Sequence, residues 1–139
     1  MPELPTVIPM VSYEDVGTAA AWLVRAFGFD ETDRIVDDGT VTHVTLRMGE
    51  GAVFLGKPGE TYVNPARLRR ESDAAARMYA APWVVDGVWV QVDDVAAHRE
   101  RARREGATLL SELEEPPIGF RLYRVEDPEG HRWIFAQAI

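Results

Sequence analysis

The chain has 139 residues, 46% of them hydrophobic and 27% charged, which fits one globular domain with a real core and excludes a disordered chain. Its formal net charge of −8, from 23 acidic against 15 basic residues, repels phosphate backbones and anionic lipid surfaces, so neither nucleic acid nor a membrane is expected as a partner. Cysteine is absent, which removes disulfides and thiol nucleophiles; no apolar stretch reaches the length of a membrane span, and MPELPTVIPM lacks the order of a signal peptide, so a cytoplasmic protein is expected.

In chain order, a short apolar strand is predicted over Thr6 to Tyr13. Asp15 then suits a helix N-cap, and the helix AAAWLVRAF runs to Phe27 and stops at Gly28. Three strands follow, near Asp33–Val36, Thr40–Met48 and Ala52–Gly56, with Asp38-Gly39 and Gly49-Glu50-Gly51 supplying the turns. From Lys57 to Trp83 the chain makes a long connection. Asn64-Pro65 can open one helix there, ARLRRESDAAARMYA, which ends at Ala81-Pro82. Its Arg67, Arg69, Arg70 and Arg77 read as a solvated face rather than an anion site.

The same series then returns. A strand is predicted over Val85 to Val92, and Asp94 caps a mostly polar helix that runs to Glu105 and stops at Gly106. Strands follow near Thr108–Ser111, Phe120–Glu126 and Arg132–Ala136, with Asp127-Pro128-Glu129-Gly130 as a turn. The two halves match at a constant offset of 79: VSYEDV with VQVDDV, Arg25 with Arg104, Glu50-Gly51 with Glu129-Gly130, and Phe54-Leu55 with Trp133-Ile134. The fold class is therefore α+β, one domain over residues 1–139 built from two tandem βαβββ modules. Module one spans 5–56, the connection 57–84 and module two 85–139.

DDVAAHRERARREGA followed by GFRLYRVEDPEGHRWIFAQ resembles the second module of the vicinal oxygen chelate superfamily, which groups glyoxalases, bleomycin resistance proteins and extradiol dioxygenases; EDVGTAAAWLVRAFGF resembles the start of module one. The resemblance implies an open, curved eight-stranded sheet around a cavity, with helices outside. In metal-dependent members, four ligands come from the first and last strand of each module. Those positions fall here at Ile8, Leu55, Gly87 and Ile134, and none offers an imidazole, thiolate or oxygen donor. Only an even slip keeps the face of a strand, and slips of two bring no His or carboxylate. No metal and no cofactor are expected, and metal-dependent glyoxalase or dioxygenase chemistry is disfavoured.

Strand alternation lists the cavity wall. On the first strands it places Ile8, Met10 and Ser12, with Gly87, Trp89 and Gln91, and turns Val7, Val11, Val88, Val90 and Val92 to the helices. His43, Thr45 and Arg47 face the cavity, while Val44, Leu46 and Met48 face the helix. Phe120, Leu122 and Arg124 join them, with Val53, Leu55, Arg132, Ile134 and Ala136. Such a wall is either a small-molecule pocket or a filled core; His43, Gln91 and Arg124 favour the pocket. The ligand-binding set expected is Met10, His43, Thr45, Leu55, Trp89, Gln91, Phe120, Leu122 and Arg124, with Trp89 placed to stack on a planar ligand. His98 reads as solvated, His131 as a turn residue, and Trp22, Trp83 and Trp133 as core or connection packing. The glycines of GEGAVFLGKPGE do not make a phosphate loop.

Two functions fit these features best, ahead of a purely structural or regulatory domain with no ligand. One is a metal-independent binding protein of the bleomycin-resistance type that sequesters a partly aromatic compound. The other is an isomerase or lyase acting on a carbonyl substrate, with His43 as base and Arg124 or Gln91 polarising an oxygen. A homodimer is expected, chiefly from the resemblance. Tyr62, Leu68, Met78, Tyr79 and Trp83 in the connection need a partner, either a second subunit or the chain's own cavity mouth as a lid.

Overall fold

The computed structural model describes residues 3–83 and 85–139. Met1 and Pro2, at the start of the segment read as no signal peptide, and Val84, the last residue of the connection, lie outside them. The chain forms two compact units, one ending at Asn64 and one beginning at Pro65. The first holds β1 (Met10–Ser12), α1 (Val16–Phe27), β2 (Asp30–Asp37), β3 (Thr40–Met48) and β4 (Gly51–Gly56). The second holds α2 (Pro65–Glu71), α3 (Asp73–Met78), β5 (Gly87–Gln91), α4 (Val95–Arg104), β6 (Thr108–Leu109), β7 (Phe120–Glu126) and β8 (Arg132–Ala138). Each unit carries one four-stranded sheet, in the orders β1-β4-β3-β2 and β5-β8-β7-β6. In both, the first strand runs parallel to the last and the other pairs are antiparallel. The tandem βαβββ architecture is thus present.

Local chemistry explains the element ends. Asp15 and Asp94 cap α1 and α4, accepting from Thr18 N at 3.1 Å and Ala97 N at 3.0 Å. Gly28 closes α1 at φ 83°, in the left-handed region where a side chain costs energy. β1 begins after Pro9, which has no N–H to donate, although its carbonyl still accepts from Phe54 N at 2.9 Å. Val7, ahead of the strand, is 81% exposed instead of facing the helix. β6 is two residues long because Ser111 Oγ, not a backbone carbonyl, accepts from Arg124 N.

The connection does not form one helix. Ser72 is extended, and its hydroxyl accepts from Ala75 N, so α2 stops and α3 starts under a serine cap. Both helices belong to the second unit. Ala66 N donates to Glu129 O at 3.0 Å. A Cβ on Gly130 would lie 2.5 Å from Ala66 N, so only glycine permits the approach. Arg69 is not solvated as expected; it pairs with the buried Glu126 at 2.6 Å.

The helix-side faces form the cores. In the first unit Val44, Leu46, Val53 and Leu55 are buried on the sheet, and α1 buries Trp22, Leu23 and Phe27. In the second, Tyr123, Val125, Trp133 and Phe135 are fully buried, while α4 buries only Val95 and Ala102. His98 of α4 is not solvated. It lies on the Phe135 ring at 4.0 Å and its Nδ1 is 2.6 Å from the Tyr123 hydroxyl, whose pKa burial pushes up. Asp127 organises the D-P-E-G turn: Oδ1 accepts from Glu129 N and His131 N, and Oδ2 from Trp133 Nε1. His131 is a turn residue, as read. Trp83 is 69% exposed, so it does not pack in a core.

Candidate functional site

The candidate site is built on the sheet faces turned away from the helices, and strand pairing decides their membership. In the first unit Met10 pairs with Phe54, which pairs with Thr45; Ser12 pairs with Gly56, which pairs with His43. Directly paired residues share a face. Met10, Thr45, His43 and Phe54 therefore lie together. His43 Nε2 is 2.9 Å from Thr45 Oγ1, and its ring meets Phe54 edge-on at 5.0 Å. Met10 is 82% exposed, whereas Thr45 is buried. Ile35, opposite His43 on β2, adds an exposed aliphatic group to the same face.

The register corrects Leu55. It pairs with Val44, so it faces the helix and is fully buried; Val53, opposite Leu46, turns the same way. Phe54, paired with Thr45, takes the place expected of Leu55. The cause is turn length. Met48 pairs with Gly51 across two residues, whereas Asp127 N bonds His131 O across three. The offset between the modules is 79 before the hairpin (Thr45 to Arg124) and 80 after it (Phe54 to Ile134). One extra residue reverses every side chain beyond it.

In the second unit the expected phase holds. Trp89 pairs with Ile134 and Ile134 with Arg124; Gln91 pairs with Ala136 and Ala136 with Leu122. Trp89 and Phe120 meet edge-to-face at 5.1 Å, and Trp89 is 41% exposed. Leu122 and Ala136 share this face but are buried, so Leu122 supports the wall rather than presenting a surface. Arg124 is engaged by Glu114 at 3.2 Å, a partner on an irregular segment that strand alternation does not reveal. Gln91 is exposed and borders an open cleft of about 310 Å³ with Val92, Asp93, Gln137 and Ala138.

Beside Trp89 and Ile134, the next paired row of the same face is Gly87, Arg132 and Glu126. Glu126 is clamped by Arg69 at 2.6 Å and Arg132 at 2.8 Å. Burial by itself would push its carboxyl up; the two guanidinium hydrogen bonds and charges outweigh that and hold its pKa below the ordinary carboxylate value.

The four positions at which the resemblance places metal ligands carry no donor side chain. With the register corrected they hold Ile8, Phe54, Gly87 and Ile134, all without a donor atom in the side chain. Among the described residues no three His, Asp or Glu side chains group as a metal would need. This donor set supports no step through a metal.

A repeated βαβββ unit defines a class: a glyoxalase-fold protein whose sheet faces carry aromatic and aliphatic groups. The family model of the Glyoxalase/Bleomycin resistance protein/Dioxygenase superfamily matches residues 8–135, and the chain belongs to that superfamily. It is similar to TioX from Micromonospora sp. ML1, with 32% identity, 97% of this chain and 99% of that one covered, and a TM-score of 0.72. TnmS3, an antibiotic binding protein from Streptomyces sp. CB03234, shares the fold at 18% identity and a TM-score of 0.67, with 100% and 99% covered. The uncharacterized protein Mb0911c of Mycobacterium bovis is 29% identical over 136 residues, covering 97% of this chain and 84% of its own length. Among the described residues no helix is long and apolar enough to cross a membrane.

Proposed function

We propose that this protein binds a small, partly aromatic compound without a metal and holds it by affinity alone, as a sequestering protein of the bleomycin-resistance type. The observation that carries this reading is the Trp89–Phe120 pair, an edge-to-face aromatic couple with Trp89 41% exposed on the sheet face away from α4. A half-exposed indole offers a stacking surface at little cost in conformational entropy. Phe54, His43, Thr45 and Met10 form the corresponding patch of the first unit. Donor-free residues at the family's ligand positions support binding rather than metal chemistry, and the antibiotic-binding role in the name of TnmS3 agrees with it. Calorimetric titration with a panel of aromatic natural products tests the reading. A hit should lose about tenfold in affinity in Trp89→Ala, the value of roughly one good aromatic contact. A panel without a hit, or a hit indifferent to Trp89, removes the proposal.

A second reading rests on His43. Its imidazole is half-buried and held by Thr45 Oγ1, a geometry that could orient a general base for isomerase or lyase chemistry on a carbonyl substrate. We also propose a homodimer, because Leu68, Met78 and Trp83 leave the connection 42%, 54% and 69% exposed. Light scattering after size exclusion decides this, and a mass near 15.6 kDa would refute it.

A further inference from the structure

The connection is fastened to the second sheet at one end of the proposed ligand face. Arg132 sits on β8 two residues before Ile134, and residues two apart on a strand share a face about 7 Å from one another. All three of its donating groups are used: Nε donates to Glu126, Nη1 to the Ala81 carbonyl and Nη2 to the Tyr79 carbonyl at 2.6 Å. Arg69, on α2, donates to both oxygens of the same Glu126. The Tyr79 ring lies against both guanidinium groups, 4.7 Å from Arg69 and 5.0 Å from Arg132. One buried carboxylate thus joins the first helix of the connection to the sheet, and Arg132 joins its far end to the sheet. The carbonyls of Tyr79 and Ala81 are held at the Gly87–Arg132 row, directly beside the Trp89–Ile134 row.

We propose that residues 79–81 form the end wall of the Trp89 ligand face, and that Arg69, Glu126 and Arg132 are the latch that holds this wall closed. The proposal rests on the binding function above. The wall limits how far a planar ligand extends past Trp89, so Tyr79 and Arg132 are specificity-determining positions. The latch makes access to the face depend on the connection. It also assigns the connection a role on its own sheet, whether or not its exposed side chains meet a second subunit. A neutral substitute at Glu126 keeps the volume but removes the charge that draws two arginines together. A neutral substitute at Arg69 removes the ion pair of α2, which then keeps only its Ala66 N–Glu129 O contact, while leaving the Glu126–Arg132 pair intact.

The test uses acrylamide as the probe and needs no ligand. In a Trp83→Phe background Trp22 and Trp133 are buried, so quenching of tryptophan fluorescence reports Trp89. Arg69→Met and Glu126→Gln should each raise the quenching constant by about twofold and speed hydrogen exchange of the α2 and α3 amides by about tenfold, while the far-ultraviolet circular dichroism stays unchanged. If Glu126→Gln does not fold, Arg69→Met alone decides. Faster exchange with unchanged Trp89 quenching overturns the wall; unchanged exchange in Arg69→Met overturns the latch. Because the protein is read without ligand, a failed ligand panel and a failed latch are separate results.

Discussion

In module one, Arg47 stands on β3 at the base of its hairpin and donates a single hydrogen bond, to the Glu3 carbonyl at 3.2 Å. The matching positions of module two hold Glu126 and, paired with it across the strands, Arg132 where module one has Ala52. Both modules therefore tie down the chain that leads into their first strand. Module one does so with one arginine hydrogen bond and the Phe54 N–Pro9 O contact. Module two does so with a buried carboxylate, two arginines and two carbonyls. The helices diverge in the opposite sense: α1 buries seven side chains and α4 two. One topology is stabilised in one module by a helix packed on the sheet. In the other, the connection and its ion pairs share that load.

The largest expected effect breaks the ion-pair side of this contrast. Glu126→Ala leaves two arginines unpaired in the second unit and should cost about 3–5 kcal/mol by urea denaturation, against about 1 kcal/mol for Arg47→Ala, which loses one exposed hydrogen bond. Acid should act on the same group. The folded-state pKa of Glu126 is depressed, so its contribution is present above the unfolded carboxylate value near pH 4.3 and is lost as pH falls through the folded value. Glu126→Gln should lack that limb of the stability profile.

Next comes the helix side. Leu23→Ala, at a fully buried position of α1, should cost about 2–5 kcal/mol. Arg104→Ala, on the exposed face of α4, should stay within about 0.5 kcal/mol. Comparable losses would mean that the two helices carry equal weight.

A smaller effect separates the hairpins. Gly130→Ala drives a Cβ to 2.5 Å from Ala66 N at φ 91° and should cost about 1–3 kcal/mol, with faster exchange in α2. Gly49→Ala meets nothing within 4 Å and carries only its left-handed backbone, about 1 kcal/mol. The smallest change expected is for His43→Ala: stability and ligand affinity within about threefold of the parent, less than the loss in Trp89→Ala, since His43 touches Thr45 and Phe54 within its own patch. Loss of a measurable turnover in that variant would instead favour the enzymatic reading.

Much of this molecule was legible in its amino acids. The aspartates before each helix, Gly28 after α1, and the Asp38-Gly39 turn are local chemistry, and local chemistry needs no tertiary partner to be read. The repeat supplied the topology, and alternation supplied the faces of β5, β7 and β8. Alternation failed at Leu55 for a definite reason. Face depends on counting residues through a turn, and the two hairpins differ by one. His98 and Arg69 look solvated because polar helices place such residues outside; Tyr123, Phe135 and Glu126, distant in sequence, draw them in.

By itself the sequence determined which segments pair into modules and where the helices start. Tertiary structure alone decided that Phe54 replaces Leu55, that Ser72 splits the connection, and that the connection is bolted to the second sheet. Those outcomes depend on which long-range contacts satisfy buried charges and backbone groups, and residues such as Arg69 and Glu126, 57 apart along the chain, meet only once the sheet has formed.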